Sequence, residues 1–257
     1  MTLPSATQTE LEDAAELFRT AQRVVVLTGA GISTPSGIPD FRSEGSGLWS
    51  RDEPMEVASL NTFRTAPERF FNWFRPLASQ IFYARPNPAH MALAEYEQAG
   101  HQKTILTQNI DGLHQKAGSS SVVEVHGTLR TLSCTQCYKQ FPSEIFLKPF
   151  IENGTMPRCT NCAGILKPDV ILFGEQLPQS AWQAAQQAVR QCDLMIVAGS
   201  SLEVMPVAGL PLQALEGGAH LVVINNTQTY VNVRADIVIT ENVATILPEI
   251  IKRAMHG

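Results

Sequence analysis

Two pairs of cysteines carry the sharpest chemical signal in the chain. Cys134-x-x-Cys137 and Cys159-x-x-Cys162 form two knuckles with 21 residues between them. Four thiolates at that spacing make a closed tetrahedral zinc site with no position left for water, so the metal is expected to be structural rather than catalytic. A redox role for either pair, or iron in place of zinc, competes with this reading. Both pairs, however, sit in polar, loop-like sequence rather than at the head of a helix, where a thiolate is stabilised. Cys192 precedes an apolar run and reads as a packed thiol. His126 is the candidate catalytic group. It follows the strand-like run 122–125 directly, and an imidazole there exchanges a proton near neutral pH. His90 and His114 fall in helical sequence, His101 and His220 in turn-like sequence, and His256 in the tail. Gln108, Asn109, Ile110 and Asp111 follow another apolar run. Asn109 can position a water or a carbonyl, and Asp111 can accept from a carboxamide. The plainer role for both is an Asx turn or a helix cap.

A fourth signal is the stretch 24–42, VVVLTGAGISTPSGIPDFR. Its apolar start reads as a buried strand that runs into Gly29, Ala30 and Gly31. Small residues there let the backbone approach a ligand phosphate and aim its N–H groups at it. The order is that of the first turn of a dinucleotide-binding fold, although the third glycine of G-x-G-x-x-G falls on Thr34.

Strands alternating with helices must position these groups. Helical spacing marks residues 10–21, 88–100, 178–190, 206–215 and 244–255; strand-like runs mark 103–107, 122–125, 169–173, 194–198, 221–224 and 237–239. Residues 54–83 carry Phe63, Phe70, Phe71, Trp73, Phe74, Phe82 and Tyr83, expected as short helices over an apolar pocket, with an ordinary helical core as the alternative. The stretch 43–50, SEGSGLWS, reads as a mobile loop, and residues 129–168 are polar and hold the four paired cysteines. The expected fold is α/β, a Rossmann-like parallel sheet with helices on both faces. Ligands gather outside the carboxyl ends of such strands. Gly29 to Gly31, Gln108 to Asp111, His126, Gly199, Ser200, Ser201, Asn225 and Asn226 all fall there, so five strand ends feed one crevice.

Composition narrows the classes. A chain of 257 residues suggests one or two domains. A net charge of −5 disfavours a broad electrostatic hold on nucleic acid. No apolar run approaches the roughly 18 residues that span a bilayer, and the first residues lack the form of a signal peptide. Five cysteines, an odd number, suit reduced thiols. The expectation is a cytoplasmic protein with no membrane and no nucleic-acid partner.

In order along the chain stand Gly29-Ala30-Gly31-Ile32-Ser33, Gly37-Ile38-Pro39-Asp40-Phe41-Arg42, Thr107-Gln108-Asn109-Ile110-Asp111, His126-Gly127, the paired knuckles, Phe173-Gly174-Glu175 and Gly199-Ser200-Ser201. In that order the chain resembles the sirtuins, NAD-dependent protein-lysine deacylases, from about residue 24 to 243. The resemblance implies one catalytic domain over 1–257. Its large Rossmann-like lobe would cover about 8–33, 88–128 and 169–257, and its small lobe a helical insertion of about 34–87 and a zinc module of about 129–168. NAD, consumed as a co-substrate, would lie between them. Ala30, Thr34, Phe41 and Arg42 would line the pyrophosphate and nicotinamide-ribose region, with Gln108 and His126 facing that ribose. Ile110 and Asp111 would hold the carboxamide. Ser200, Asn225, Asn226 and Val243 would contact the adenosine half, and Gly29, Gly31, Asp40, Asn109, Gly199 and Ser201 would complete the cofactor set. An acyl-lysine polypeptide would add as a strand between 170–175 and 203–207, touching Val170, Leu172, Phe173, Gly174, Glu203 and Val204.

The implied chemistry is attack of the acyl oxygen on the ribose carbon as nicotinamide leaves. His126 then acts as base toward a ribose hydroxyl, with Asn109 ordering the water or ribose, and free lysine and O-acyl-ADP-ribose are released. Some sirtuins that remove acidic acyl groups carry a Tyr-x-x-Arg pair in the insertion, where this chain has Phe74 and Leu77. A carboxylate tail would be buried there without a cation. Acetyl, and other apolar acyl groups, are therefore the expected substrates. A mono-ADP-ribosyltransferase in the same cleft, an NAD-sensing zinc-knuckle interaction module and a hydride-transferring dehydrogenase are the alternatives. The last would need an acidic residue about 20 positions beyond the glycines, where the helical insertion stands instead.

Overall fold

The computed structural model describes residues 7–40 and 54–257. Helix α1 (Gln8–Thr20) begins at Thr7, whose hydroxyl accepts from the Glu10 amide while the Glu10 carboxylate accepts from the Thr7 amide. That reciprocal pair satisfies two N–H groups which the helix cannot. Strand β1 (Val24–Thr28) follows, then α2 (Pro54–Val57), α3 (Leu60–Thr65), α4 (Pro67–Tyr83) and α5 (Pro88–Gln98). Strand β2 (Lys103–Thr107), α6 (Leu113–Lys116) and β3 (Val122–Glu124) come next, then β4 (Gly127–Cys134), β5 (Gln140–Pro142), α7 (Glu144–Asn153) and β6 (Leu166–Val170). The last part holds α8 (Gln179–Gln191), β7 (Leu194–Ala198), α9 (Leu210–Glu216), β8 (His220–Ile224), β9 (Ile237–Ile239) and α10 (Val243–His256).

Six strands form one sheet in the order β3-β2-β1-β7-β8-β9, every neighbouring pair parallel. β1 and β7 are buried at all five positions, because helices cover both faces. Side chains alternate across a strand. Val24 and Val26 therefore pack with α1, α5 and α10, whereas Val25 and Leu27 pack with α8 and α9. The chain winds outward from β1 to β3, then returns to β7 on the other side of β1. The crevice that opens beyond β1 and β7 is the place where such sheets hold ligands. Among the described residues, no helix is long and apolar enough to cross a membrane.

A second, antiparallel sheet has the order β5-β4-β6. The run expected at 169–173 is found here as β6, shifted toward the N-terminus. Its sequence LKPDV alternates buried and half-buried positions, the pattern of an antiparallel strand with one wetter face. Ile171 and Phe173 have left this sheet; their amides bond His126 O and Ala58 O, both at 2.9 Å. The helix expected over 206–215 is divided into a short 3-10 turn at Val207–Gly209 and α9. Pro211 lies in the first turn of α9, where its missing N–H costs nothing; inside a longer helix its ring would strike the carbonyl four residues back. His220 opens β8 rather than a turn. In the insertion, α4 is a single helix of 17 residues, longer than the short helices expected.

The glycines after β1 have a role beyond any ligand. The Gly31 amide donates to Gly199 O at 2.8 Å, and a Cβ on Gly31 would stand 2.8 Å from that same oxygen. Gly199 has φ +64°, and a Cβ there would lie 2.3 Å from Ile32 N. The turns that end β1 and β7 thus press backbone against backbone. Gly199→Ala is expected to lose about 2 kcal/mol or more, from overpacking and left-handed strain together. Urea unfolding followed by circular dichroism checks it, and an unchanged midpoint would contradict the packing argument.

Candidate active site

A cavity of about 330 Å³ opens at the carboxyl edge of the parallel sheet. Four parts of the chain line it. The strand ends supply Ala30, Ser33, Gln108, Asn109, Ile110, Asp111 and His126; the insertion supplies Ile38, Pro39, Ala58, Phe70, Trp73, Phe74, Leu77 and Ile81. The segment after β6 supplies residues 170–175 and Leu177, and Val204 and Met205 close the mouth. One wall is therefore polar and the opposite one apolar.

His126 is half-buried, and its Nδ1 lies 3.2 Å from the Gln108 carbonyl oxygen. A carbonyl only accepts, so Nδ1 carries the proton and Nε2 keeps its lone pair. Burial holds the imidazole pKa below its usual value, more than the Gln108 contact raises it. At neutral pH the ring is an uncharged base.

Behind it runs a chain of buried hydrogen bonds. Asn109 Nδ2 donates to Gly29 O at 2.9 Å and to Ser33 Oγ at 3.1 Å. Ser33 Oγ donates to Asp111 Oδ2 at 2.7 Å, and the Leu113 amide donates to Asp111 Oδ1 at 2.8 Å. Burial raises the Asp111 pKa, opposed by these two bonds. Deeper still, Thr28 Oγ1 bonds Thr107 Oγ1 at 2.9 Å and meets His114 Nε2 at 3.0 Å, and the His114 ring packs 4.8 Å from that of His90. Burial pushes His90 down to about 4 and His114 well below its usual value, so both stay neutral.

The other residues singled out in the sequence are distributed along the same edge. Gln108 Nε2 donates to Ser200 Oγ at 2.8 Å, which joins the ends of β2 and β7. Thr34 Oγ1 donates to Gly31 O at 3.1 Å. Asn225, at the end of β8, is buried and donates to Thr227 O at 2.9 Å. Ser201 and Asn226 are exposed, and Asp40 is half-buried. Val243 is buried at the start of α10 and packs into the core. Val170, Leu172, Phe173, Gly174 and Val204 line the cavity, whereas Glu203 is exposed beside it. Phe41, Arg42 and the stretch 43–50 lie outside the described residues. Of the aromatics expected over a pocket, Phe70, Trp73 and Phe74 line the cavity. Phe63 and Phe71 are buried in the cluster behind it, and Tyr83 is exposed. Sequence reasoning missed Ala58, Ile81 and Leu177, ordinary apolar residues whose place depends on tertiary packing. It also missed Ser33 as the support of Asp111, although its place two residues beyond the first glycine turn was a usable cue.

The four knuckle cysteines place their sulfurs within 4.8 Å of one another, with Cys134 to Cys162 at 3.5 Å and Cys137 to Cys159 at 3.7 Å. All are free thiols, and these separations are far beyond the roughly 2.05 Å of a disulfide. A zinc–sulfur length of about 2.3 Å sets tetrahedral edges near 3.8 Å, so the cluster fits zinc. The Gln136 amide points at Cys134 Sγ at 3.4 Å, and the Asn161 amide points at Cys159 Sγ at 3.4 Å. Such bonds orient and stabilise thiolate ligands. Cys192 is different: it is buried, donates to Val189 O at 3.2 Å, and burial pushes its pKa up to about 11.

The fold and cleft define a Rossmann-type protein with an antiparallel module, bearing a cysteine cluster placed to bind a metal ion, beside its ligand edge. Residues 29–206 match the Sir2 family model, and the chain belongs to that family. It is 45% identical over 237 residues, 92% of this chain and 93% of the relative, to NAD-dependent protein deacetylase 2 of Caldanaerobacter subterraneus subsp. tengcongensis. A solved structure described as "Structural Basis for the Mechanism and Regulation of Sir2 Enzymes" superposes with a TM-score of 0.89 at 40% identity, covering 97% of this chain and 99% of the other. A Sir2 complex with deacetylated p53 peptide and 3'-O-acetyl ADP ribose gives a TM-score of 0.87 at 35% identity, covering 94% of this chain and 97% of that one.

Cys134→Ser is expected to leave the purified protein with well under one zinc per chain and to expose residues 129–168 to protease, because metal binding and folding of such a module are linked. Atomic absorption and limited proteolysis check this; a metal-free variant with wild-type protease resistance would contradict the structural role.

Proposed function

We propose that this chain removes acetyl groups from protein lysine side chains in an NAD-dependent reaction that yields nicotinamide, O-acetyl-ADP-ribose and free lysine. The observation that carries the reading is the placement of a neutral imidazole in one cavity with a polar wall on one side and an apolar wall on the other. NAD, when bound, supplies an electrophilic ribose carbon with nicotinamide as its leaving group. Asp111 and the Ile110 backbone hold the carboxamide, and Ala30, Thr34, Gln108 and Ser200 track the rest of the dinucleotide along the strand ends, with Asn225, Asn226 and Val243 at its far end. Gly29, Gly31, Asp40, Gly199 and Ser201 complete that surface, and Phe41 and Arg42 are assigned to the same cofactor.

His126 Nε2 receives the proton of a ribose hydroxyl, while Nδ1 stays anchored to Gln108 O. Asn109 keeps the base and the carboxamide site in register through its bonds to Gly29 and Ser33. Phe70, Trp73, Phe74 and Leu77 enclose the acyl group and exclude water, which protects an activated sugar from hydrolysis. The acyl-lysine polypeptide lies as a strand between 170–175 and 203–207. In support, Gly174 makes no backbone hydrogen bond to any described residue, so its N–H and C=O can pair with an added strand. Residues of about 8–33, 88–128 and 169–257 serve as the cofactor lobe, and 34–87 with 129–168 as the small lobe. Five free cysteines support a reducing, cytoplasmic setting, and the net charge of −5 supports polypeptide rather than nucleic-acid partners.

Three outcomes test the proposal. His126→Ala should lower deacetylation by about 100-fold or more, with nicotinamide, acetyl-ADP-ribose and free lysine quantified together; ADP-ribose transfer to protein without deacetylation would overturn the reading. In the wild type, kcat/KM should fall on the acid side with a midpoint below 6.5, because the base is lost only when the depressed His126 pKa is passed. An acetyl-lysine peptide should also be turned over about 100-fold faster than its succinyl counterpart, since the acidic tail would meet Phe74 and Leu77 without a cation; comparable rates would contradict the apolar wall.

A further inference from the structure

The wall that faces the polypeptide is a segment outside either sheet, and something must fix its shape. From Ile171 to Glu175 the chain is held by Ile171 N to His126 O at 2.9 Å, Phe173 N to Ala58 O at 2.9 Å and Leu60 N to Phe173 O at 3.0 Å. Its bend is set from behind by one ion pair. Lys167 Nζ donates to Glu175 Oε2 at 2.9 Å, to Val170 O at 2.8 Å and to Pro168 O at 3.1 Å. Glu175 Oε2 also accepts from the Leu172 amide at 2.8 Å, and the Glu175 amide returns a bond to Leu172 O at 3.0 Å. The ammonium spends all three protons on this turn. Both side chains are largely withdrawn from water, at 17% and 20% exposure, so the bonds are less screened than those of a surface pair. Gly174, at φ +89°, stands exposed at the tip of the turn.

We propose that Lys167 is a positioning residue for the acyl-lysine polypeptide, acting through Glu175 to hold Phe173 and Gly174 in the register at which a substrate strand docks. This rests on the deacylase reading above. Lys167 does not line the cavity, so it acts without touching either substrate. The groups assigned to the cofactor are fixed by other bonds: Asp111 by Ser33 and Leu113, and Gln108 by Ser200. Releasing the clamp should therefore disturb polypeptide binding and leave cofactor binding in place. The backbone bond that joins the segment to His126, from Ile171 N to His126 O, lies before the clamped turn.

Steady-state kinetics of the zinc-loaded full chain, with an acetyl-lysine peptide and NAD varied in turn, test the idea. Lys167→Met should raise KM for the peptide about tenfold or more, with KM for NAD within about twofold of wild type. Glu175→Gln should show the same selectivity, the double variant should be no worse than the poorer single one, and Lys167→Arg should recover part of the loss. Equal rises in both KM values, additive single effects, or an unchanged peptide KM in Lys167→Met would overturn the proposal. If Lys167→Met fails to fold, Glu175→Gln decides alone: a selective rise supports the clamp and any other pattern refutes it. Absence of nicotinamide release by the wild type would refute the deacylase reading and, with it, this one. Turnover by the wild type with unselective variants would refute only the clamp.

Discussion

The cleft hangs from the point where Gly127 lies against Asp169. At Gly127, φ is +78° and a Cβ would stand 2.1 Å from the Asp169 carbonyl oxygen, so only glycine lets the two backbones meet. His126 immediately precedes this contact, and its own carbonyl accepts from Ile171, just past the end of β6. His126 is thus fixed by backbone on both sides before its side chain makes any bond. From there β4 and β6 run together as an antiparallel ribbon, with Gly127 opposite Val170 at one end and Cys134 opposite Leu166 at the other. The cysteine cluster and His126 sit at opposite ends of the same pair of strands. An ion held by that cluster would therefore brace the ribbon that carries His126 without approaching its ring.

The interior behind the cleft is polar but carries little charge. His126, His114 and His90 are kept neutral by burial, and burial also raises the pKa of Asp111. In a low-dielectric setting each hydrogen bond is stronger, and each unsatisfied group more costly, than at the surface. Geometry rather than long-range field holds the site: the bonds joining Asn109, Ser33 and Asp111 tie the first glycine turn to the end of β2. The neighbouring pair Gln108 and Ser200 ties β2 to β7. Three strand ends are therefore cross-linked before any ligand arrives.

Features fixed by local chemistry were legible in the sequence. The knuckle spacing identified a metal cluster because four sulfurs in two tight turns have few other uses. The five strand ends were visible because buried parallel strands read as continuous apolar runs that stop abruptly at small or polar residues. What escaped notice depends on partners distant in the chain. β6 was placed three residues late because Val170 to Phe173 is the more apolar run, yet the strand is chosen by its pairing with β4. Gly29 and Gly31 were assigned to a phosphate, whereas their absent side chains also make room for Gly199 and Ser200. Lys167 and Glu175 gave no sign of meeting, since nothing in their spacing records the turn that joins them.

The all-parallel sheet also shapes how the chain can be made. β1 is central, yet its partner β7 belongs to the last third of the sequence, and the bonds that fasten Arg23 to Asp193 span 170 residues. During synthesis β1 can pair with β2 as soon as both have emerged, but its other edge stays open until β7 follows. An apolar strand with an unpaired edge is a template for sticking to other chains. The nascent protein therefore passes through a long interval in which the centre of its future sheet is its most adhesive surface, and shielding by a chaperone would count most then.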